Sequence, residues 1–136
     1  MTFAFPPDAT KLIIPVHVTG PQQGRDIKLT IDTGSAITVL PAWLLPRLGC
    51  DLSRPHGYKR LRGIASAARA PLVRVPAVSA LGRVRKDLLV AAHDLPLGVE
   101  SDGLLGLDFF RGLVLTLDFA RGRISLAPRR WWHFWR

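Results

Sequence analysis

The stretch Ile31-Asp32-Thr33-Gly34-Ser35 decides the fold of this chain. It is entered from an apolar, β-rich run over residues 27–31 and left through another over residues 36–40. A carboxylate on a tight turn between two such segments is costly to bury, and the Thr-Gly pair behind it suits a turn held by hydrogen bonds. The Asp-Thr-Gly triplet occurs only once.

Upstream, residues 11–18 read as a strand, residues 20–24 as a breaker-rich turn and residues 27–31 as the returning strand, so the turn closes a hairpin. Downstream, Pro41 opens a short apolar helix through Leu48 that Pro46 should shorten and Gly49 should end. Alternation resumes over residues 58–75 around the small-residue run 63–68. Strands follow at 73–78 and 84–91, joined by Ala80-Leu81-Gly82, with Arg83, Arg85 and Lys86 on or beside the exposed face. After a loop at 94–102, Gly103-Leu104-Leu105-Gly106-Leu107-Asp108-Phe109-Phe110 combines a short strand with the start of a one- to two-turn helix ending near Gly112. Strands at 113–119 and 123–126 close a last hairpin around Ala120-Arg121-Gly122. Short strands punctuated by Gly and Pro predict an all-β lobe with one or two short helices. A faint internal echo, strand, turn or Leu-Leu-Gly, then helix, suits two similar half-lobes.

At 136 residues the chain suits one domain with a substantial core, and 48% hydrophobic residues argue for a folded state. No apolar run reaches the length of a bilayer span, and residues 1–10 lack the charged and apolar segments of a signal peptide, so a cytoplasmic location is the expectation. Cys50 is the only cysteine, which excludes an intrachain disulfide and a Cys-rich metal cluster. His17, His56, His93 and His133 are dispersed without ligand spacing, so neither metal nor cofactor is expected. There is no Gly-Xaa-Ser-Xaa-Gly elbow, P-loop or dinucleotide fingerprint. The formal charge of +9 attracts anions, but the cations are scattered and no nucleic-acid motif is present, so no specific nucleic-acid partner is expected.

The order of Ile31-Asp32-Thr33-Gly34-Ser35, the small-residue hairpin near Gly63 and Leu104-Leu105-Gly106 resembles the retropepsin-like aspartic proteases, the single-lobe relatives of pepsin. The resemblance covers about residues 11–126 and implies a closed, barrel-like β lobe with a flap hairpin. It divides the chain into an N-terminal extension (1–10), the protease domain (11–127) and a basic aromatic tail (128–136). It implies an aspartic endopeptidase acting on extended polypeptide with apolar residues at the scissile bond, or alternatively a catalytically silent dimerisation or peptide-binding module.

By that resemblance Asp32 is catalytic. Thr33 would lock two turns together, Gly34 would let substrate backbone approach, and Ser35 would hydrogen-bond the Asp32 carboxylate. Gly63, Ile64, Ala65 and Ser66 would form the substrate-binding flap, and Leu104, Leu105 and Gly106 would back the turn. Asp102-Gly103 lacks the hydroxyl residue and is rejected as a second catalytic turn, so the partner carboxylate must come from a homodimer. Asp108 is expected as the N-terminal carboxylate of its helix and Asp118 as a turn residue. The tail Arg129-Arg130-Trp131-Trp132-His133-Phe134-Trp135-Arg136 is expected to pack on protein, with membrane contact the less favoured use.

Overall fold

The computed structural model describes residues 1–61 and 68–129. The strands are β1 (Thr2–Ala4), β2 (Ile13–Thr19), β3 (Gly24–Ile31), β4 (Val39–Leu40) and β5 (Gly57–Leu61), then β6 (Ala68–Ala80), β7 (Arg83–Ala92), β8 (Gly103–Leu105), β9 (Leu113–Asp118) and β10 (Arg123–Pro128). A 3-10 helix, Leu45–Leu48, and one short α-helix, α1 (Leu107–Phe110), complete the described elements. No described helix is long and apolar enough to cross a membrane.

Period-two burial builds the first hairpin: Ile14, Val16 and Val18 on β2 and Ile27, Leu29 and Ile31 on β3 are buried, while Pro15, His17 and Lys28 face out. Parallel pairing then places β8 against β3 with Ile31 opposite Leu105, and β8 also pairs antiparallel with β4 through Leu104 and Val39. The order β2-β3-β8-β4-β7-β6 closes when β6 returns to β2, giving a six-stranded barrel with β5 appended to β6. Closure leaves no free edge in the barrel proper. Inside it pack Leu29, Leu40, Leu44, Leu105 and Phe109, all fully buried.

The second arm of the hairpin expected over 58–75 and the strand expected at 73–78 are one strand, β6, thirteen residues long. It serves both hairpins, and its inward face changes parity at Pro76, from Val73 and Val75 to Val78 and Ala80. Across from that proline Asp87 has φ of 55°. The β6–β7 connection is a two-residue turn, Leu81-Gly82, both with positive φ, matching the twist of the strands it joins. A second apolar cluster, Val39, Leu61, Ala70, Ala91 and Leu104, ties the root of the β5–β6 hairpin to β4 and β8. The flap tip expected at Gly63, Ile64, Ala65 and Ser66 lies outside the described residues, as does nearly all of the aromatic tail, 130–136.

Residues 2–4, assigned no element from sequence, form β1 and pair with β10, which pairs with β9 in a separate three-stranded sheet. The Phe5 N–H donates to Gly122 O (2.8 Å), and the Phe5 ring meets Phe119 edge-on at 5.6 Å, so the amino terminus is fastened to the last hairpin.

Candidate active site

Where β3 ends, the Asp32 N–H donates to Leu105 O (3.0 Å), carrying the β3–β8 pairing one residue further. The chain then turns: the Ser35 N–H donates to Asp32 O (3.1 Å), and the Gly34 N–H donates to Asp32 Oδ1 (2.9 Å), an Asx turn. Asp32 is half-buried, whereas Thr33 and Gly34 are exposed. Among the described residues Asp32 Oδ2 receives no hydrogen bond and Asp32 forms no ion pair. A carboxylate here is fixed by its own turn with one oxygen left over.

The Ser35 hydroxyl corrects the expectation that it bonds Asp32. It donates instead to Ile37 O (2.6 Å), stiffening the exit of the turn. That bond explains why only Val39–Leu40, and not all of 36–40, is strand: successive local bonds keep residues 32–37 in turn conformation.

Behind the turn the chain crosses itself at Gly106. A Cβ placed there would lie 2.6 Å from Ile37 O and 2.8 Å from Ser35 O, so only glycine permits the approach. The Leu107 N–H donates to Ser35 O (2.8 Å) across this crossing. Leu105 fills the barrel and Leu104 the second cluster.

Sequence reasoning missed Thr38. It is fully buried; its N–H donates to Asp108 Oδ2 (3.0 Å), its hydroxyl donates to Asp108 Oδ1 (2.7 Å), and the Gly106 N–H donates to its Oγ1 (3.1 Å). Asp108 also accepts the Phe109 N–H (2.9 Å). Asp108 is therefore more than a carboxylate at the start of α1: it locks the loop after Asp32 to the helix after Gly106. The only advance signal was two polar residues in otherwise apolar runs. Arg85, expected on or beside an exposed face, donates from Nε to Phe109 O (2.7 Å) and from Nη2 to Arg111 O, tying β7 to the end of α1 and the residue that follows it.

Asp102 is also spoken for. Its Oδ2 accepts the Lys28 N–H (2.9 Å), its own N–H donates to Lys28 O (2.8 Å), and next to it the Thr30 and Ser101 hydroxyls bond at 2.7 Å. These ties zip the 100–102 loop onto β3 and give the Asp102 carboxylate a structural partner. Asp118 is the expected turn residue, bonded to the Arg121 N–H and guanidinium, both at 3.0 Å. Cys50 is buried, and burial pushes its thiol up, away from a reactive thiolate. A cavity of about 360 Å³ opens beside Asp32, between Leu12, Leu104 and Phe119.

A β-barrel in which a short strand, β8, lies between β3 and β4, with a half-buried carboxylate on the turn that leaves β3, is one lobe of an aspartic-protease fold. Residues 14–109 match the aspartyl protease family, and the chain belongs to that family. No curated protein matches it. Among solved structures it is similar to a retropepsin-like aspartic protease from Rickettsia conorii, with a TM-score of 0.62 and 21% identity over 93% of this chain and 91% of that one. The lobe is thus of retropepsin type, as the residue pattern implied.

Proposed function

We propose that this chain is an aspartic endopeptidase whose active species is a twofold homodimer, with Asp32 of each copy forming one half of a catalytic dyad. The observation that carries the reading is the single Asp32 turn, held at an exposed tip with Oδ2 uncommitted, while Asp102 is bonded to β3 and Asp108 to the Thr38 loop. Peptide hydrolysis by this route needs two carboxylates about 3 Å apart sharing one proton, because like charges at that distance cannot both ionise.

In the first step the ionised carboxylate takes a proton from water as the water oxygen adds to the scissile carbonyl carbon. The protonated carboxyl gives its proton to the carbonyl oxygen. Collapse of the resulting gem-diol breaks the C–N bond as the departing nitrogen is protonated, and the dyad returns to its starting state. Exposed Thr33 and Gly34 lie at the tip that would meet the second copy, which suits hydrogen bonding between the two turns and close passage of substrate backbone. Gly63, Ile64, Ala65 and Ser66 would close over an extended polypeptide from above. No cofactor enters the reaction.

Asp32→Asn should abolish cleavage of a fluorogenic peptide library while leaving the melting curve and the sedimentation coefficient of the dimer intact. A fully active monomer in sedimentation, or an Asp32→Asn chain that still cleaves, overturns the reading.

A further inference from the structure

The cavity beside Asp32 has an apolar wall of Leu12, Ile31, Val99, Leu104 and Phe119, and among the described residues only two ionisable ones line it: Asp32 and Lys11. Lys11 has no ion-pair partner among the described residues. The backbone beside Lys11 is fixed, the Ile31 N–H donating to Leu12 O (2.8 Å), so Lys11 springs from a point next to the strand end that carries the catalytic turn. The one hydroxyl of Thr30, also at the cavity, is engaged by Ser101. Lys11 is thus the only cationic residue among the described ones that lines the cavity.

A second cluster of the same sign lies on the β5–β6 hairpin. Arg60 stands directly opposite Arg69 in the antiparallel register, with Lys59 adjacent, and the Arg69 guanidinium lies 4.3 Å from the centre of the Tyr58 ring. Like charges directly opposed across two strands are unfavourable, and no described acid is paired with either. An acidic polypeptide removes that penalty on arrival and is drawn by the field of a chain of charge +9.

We propose that Lys11 is a specificity-determining residue, reading a carboxylate-bearing side chain, Glu or Asp, that flanks the scissile bond, with Arg60 and Arg69 drawing such acidic segments to the cleft. The inference rests on the proposed endopeptidase reading. Its electrostatic logic is that a dyad sharing one proton carries one negative charge, which on its own disfavours an acidic side chain next to it. Lys11 reverses that preference, and the methylenes of Glu meet the apolar wall.

The test uses the full-length chain and three fluorogenic peptides identical except for Glu, Gln or Lys at the position flanking the scissile bond. At low salt Glu should exceed Gln in kcat/KM by about fivefold, the upper range for a solvent-accessible ion pair, and the ratio should fall towards one as salt is raised. Lys11→Glu should invert the order, so that the Lys peptide is cleaved fastest, and Arg60→Gln with Arg69→Gln should slow the Glu peptide more than the Gln peptide. Equal rates for the three peptides, or an order that Lys11→Glu leaves in place, overturn the inference while leaving the protease reading standing. A chain that cleaves none of them overturns that reading instead. Fluorescence anisotropy of the same peptides on the Asp32→Asn chain then decides the inference: tighter binding of the Glu peptide, lost in Lys11→Glu, supports it, and equal binding ends it.

Discussion

Asp32 and Asp108 lie on either side of one backbone crossing and are used in opposite ways. Asp108 accepts from the Thr38 N–H, the Thr38 hydroxyl and the Phe109 N–H, and has little left to offer. Asp32 accepts one bond, from Gly34, and keeps Oδ2 for something else. The difference shows how a rigid site is made from a mobile-looking sequence: the reactive carboxylate is left under-bonded, and the polar groups needed to hold it are moved one layer back, onto Thr38, Gly106 and Asp108. A saturated carboxylate makes a brace; an under-bonded one on a braced turn makes a reagent.

The sharpest way to break this comparison is to neutralise each carboxylate in turn. Asp32→Asn should lower kcat by roughly 10³-fold or more, because a dyad member has no substitute, while Tm shifts by no more than about 2 °C. Asp108→Asn should do the reverse in kind. Its amide NH₂ faces hydrogen-bond donors and leaves at least one unpaired, costing about 1–3 kcal/mol of stability in urea unfolding, with activity falling only as the turn loosens. If both variants unfold alike, the division of labour between the two residues is wrong.

Gly106→Ala tests the crossing itself. The new methyl would press on the Ile37 and Ser35 carbonyls, which are backbone and cannot swing away, so a loss of about 3 kcal/mol is expected from the urea midpoint at unchanged m-value. Thr38→Val keeps the shape and removes only the hydroxyl. It leaves the Gly106 N–H without its acceptor and Asp108 Oδ1 without one of its donors, for about 2 kcal/mol. A Thr38→Val chain as stable as the parent would reduce the brace to packing alone.

Much of this was legible in the sequence because it is local. The turn at 32–35, the strand feeding it, the Leu-Leu-Gly backing and the proline-shortened helix before Gly49 each follow from neighbouring residues and their turn chemistry. What escaped is long-range. Thr38 meets Asp108 seventy positions away, β1 meets β10 across nearly the whole chain, and Arg85 reaches α1 from a strand whose alternation suggested only solvent. Ser35 failed for another reason: its hydroxyl had two nearby acceptors, the Asp32 carboxylate and the Ile37 carbonyl, and only the path of the chain after the turn decides which it meets. A residue type names the bond a side chain can make; closure of the barrel selects the partner.

Asp118 supplies the mildest test, since it is a carboxylate of a third kind: bonded like Asp108, but within the last hairpin and to that hairpin's own turn. The Arg121 N–H first, and then its guanidinium, hold the Asp118 carboxyl below the usual carboxylate range. Because the folded state favours the ionised form, the stabilisation is fully present above the ordinary carboxylate pKa of the unfolded chain and drains away as pH falls through the lower folded value. Asp118→Asn should therefore lower Tm by at most about 2 °C at pH 7, in keeping with a solvent-screened pair, and the gap should close as the pH is taken below the usual carboxylate range. The hairpin reaches the Asp32 cavity through Phe119 but makes no hydrogen bond to the catalytic turn among the described residues, so kcat should not follow Tm. A gap that persists in acid would mean that Asp118 works through turn shape alone. A fall in kcat would show that the last hairpin, and not only Thr38 and Asp108, helps to hold Asp32.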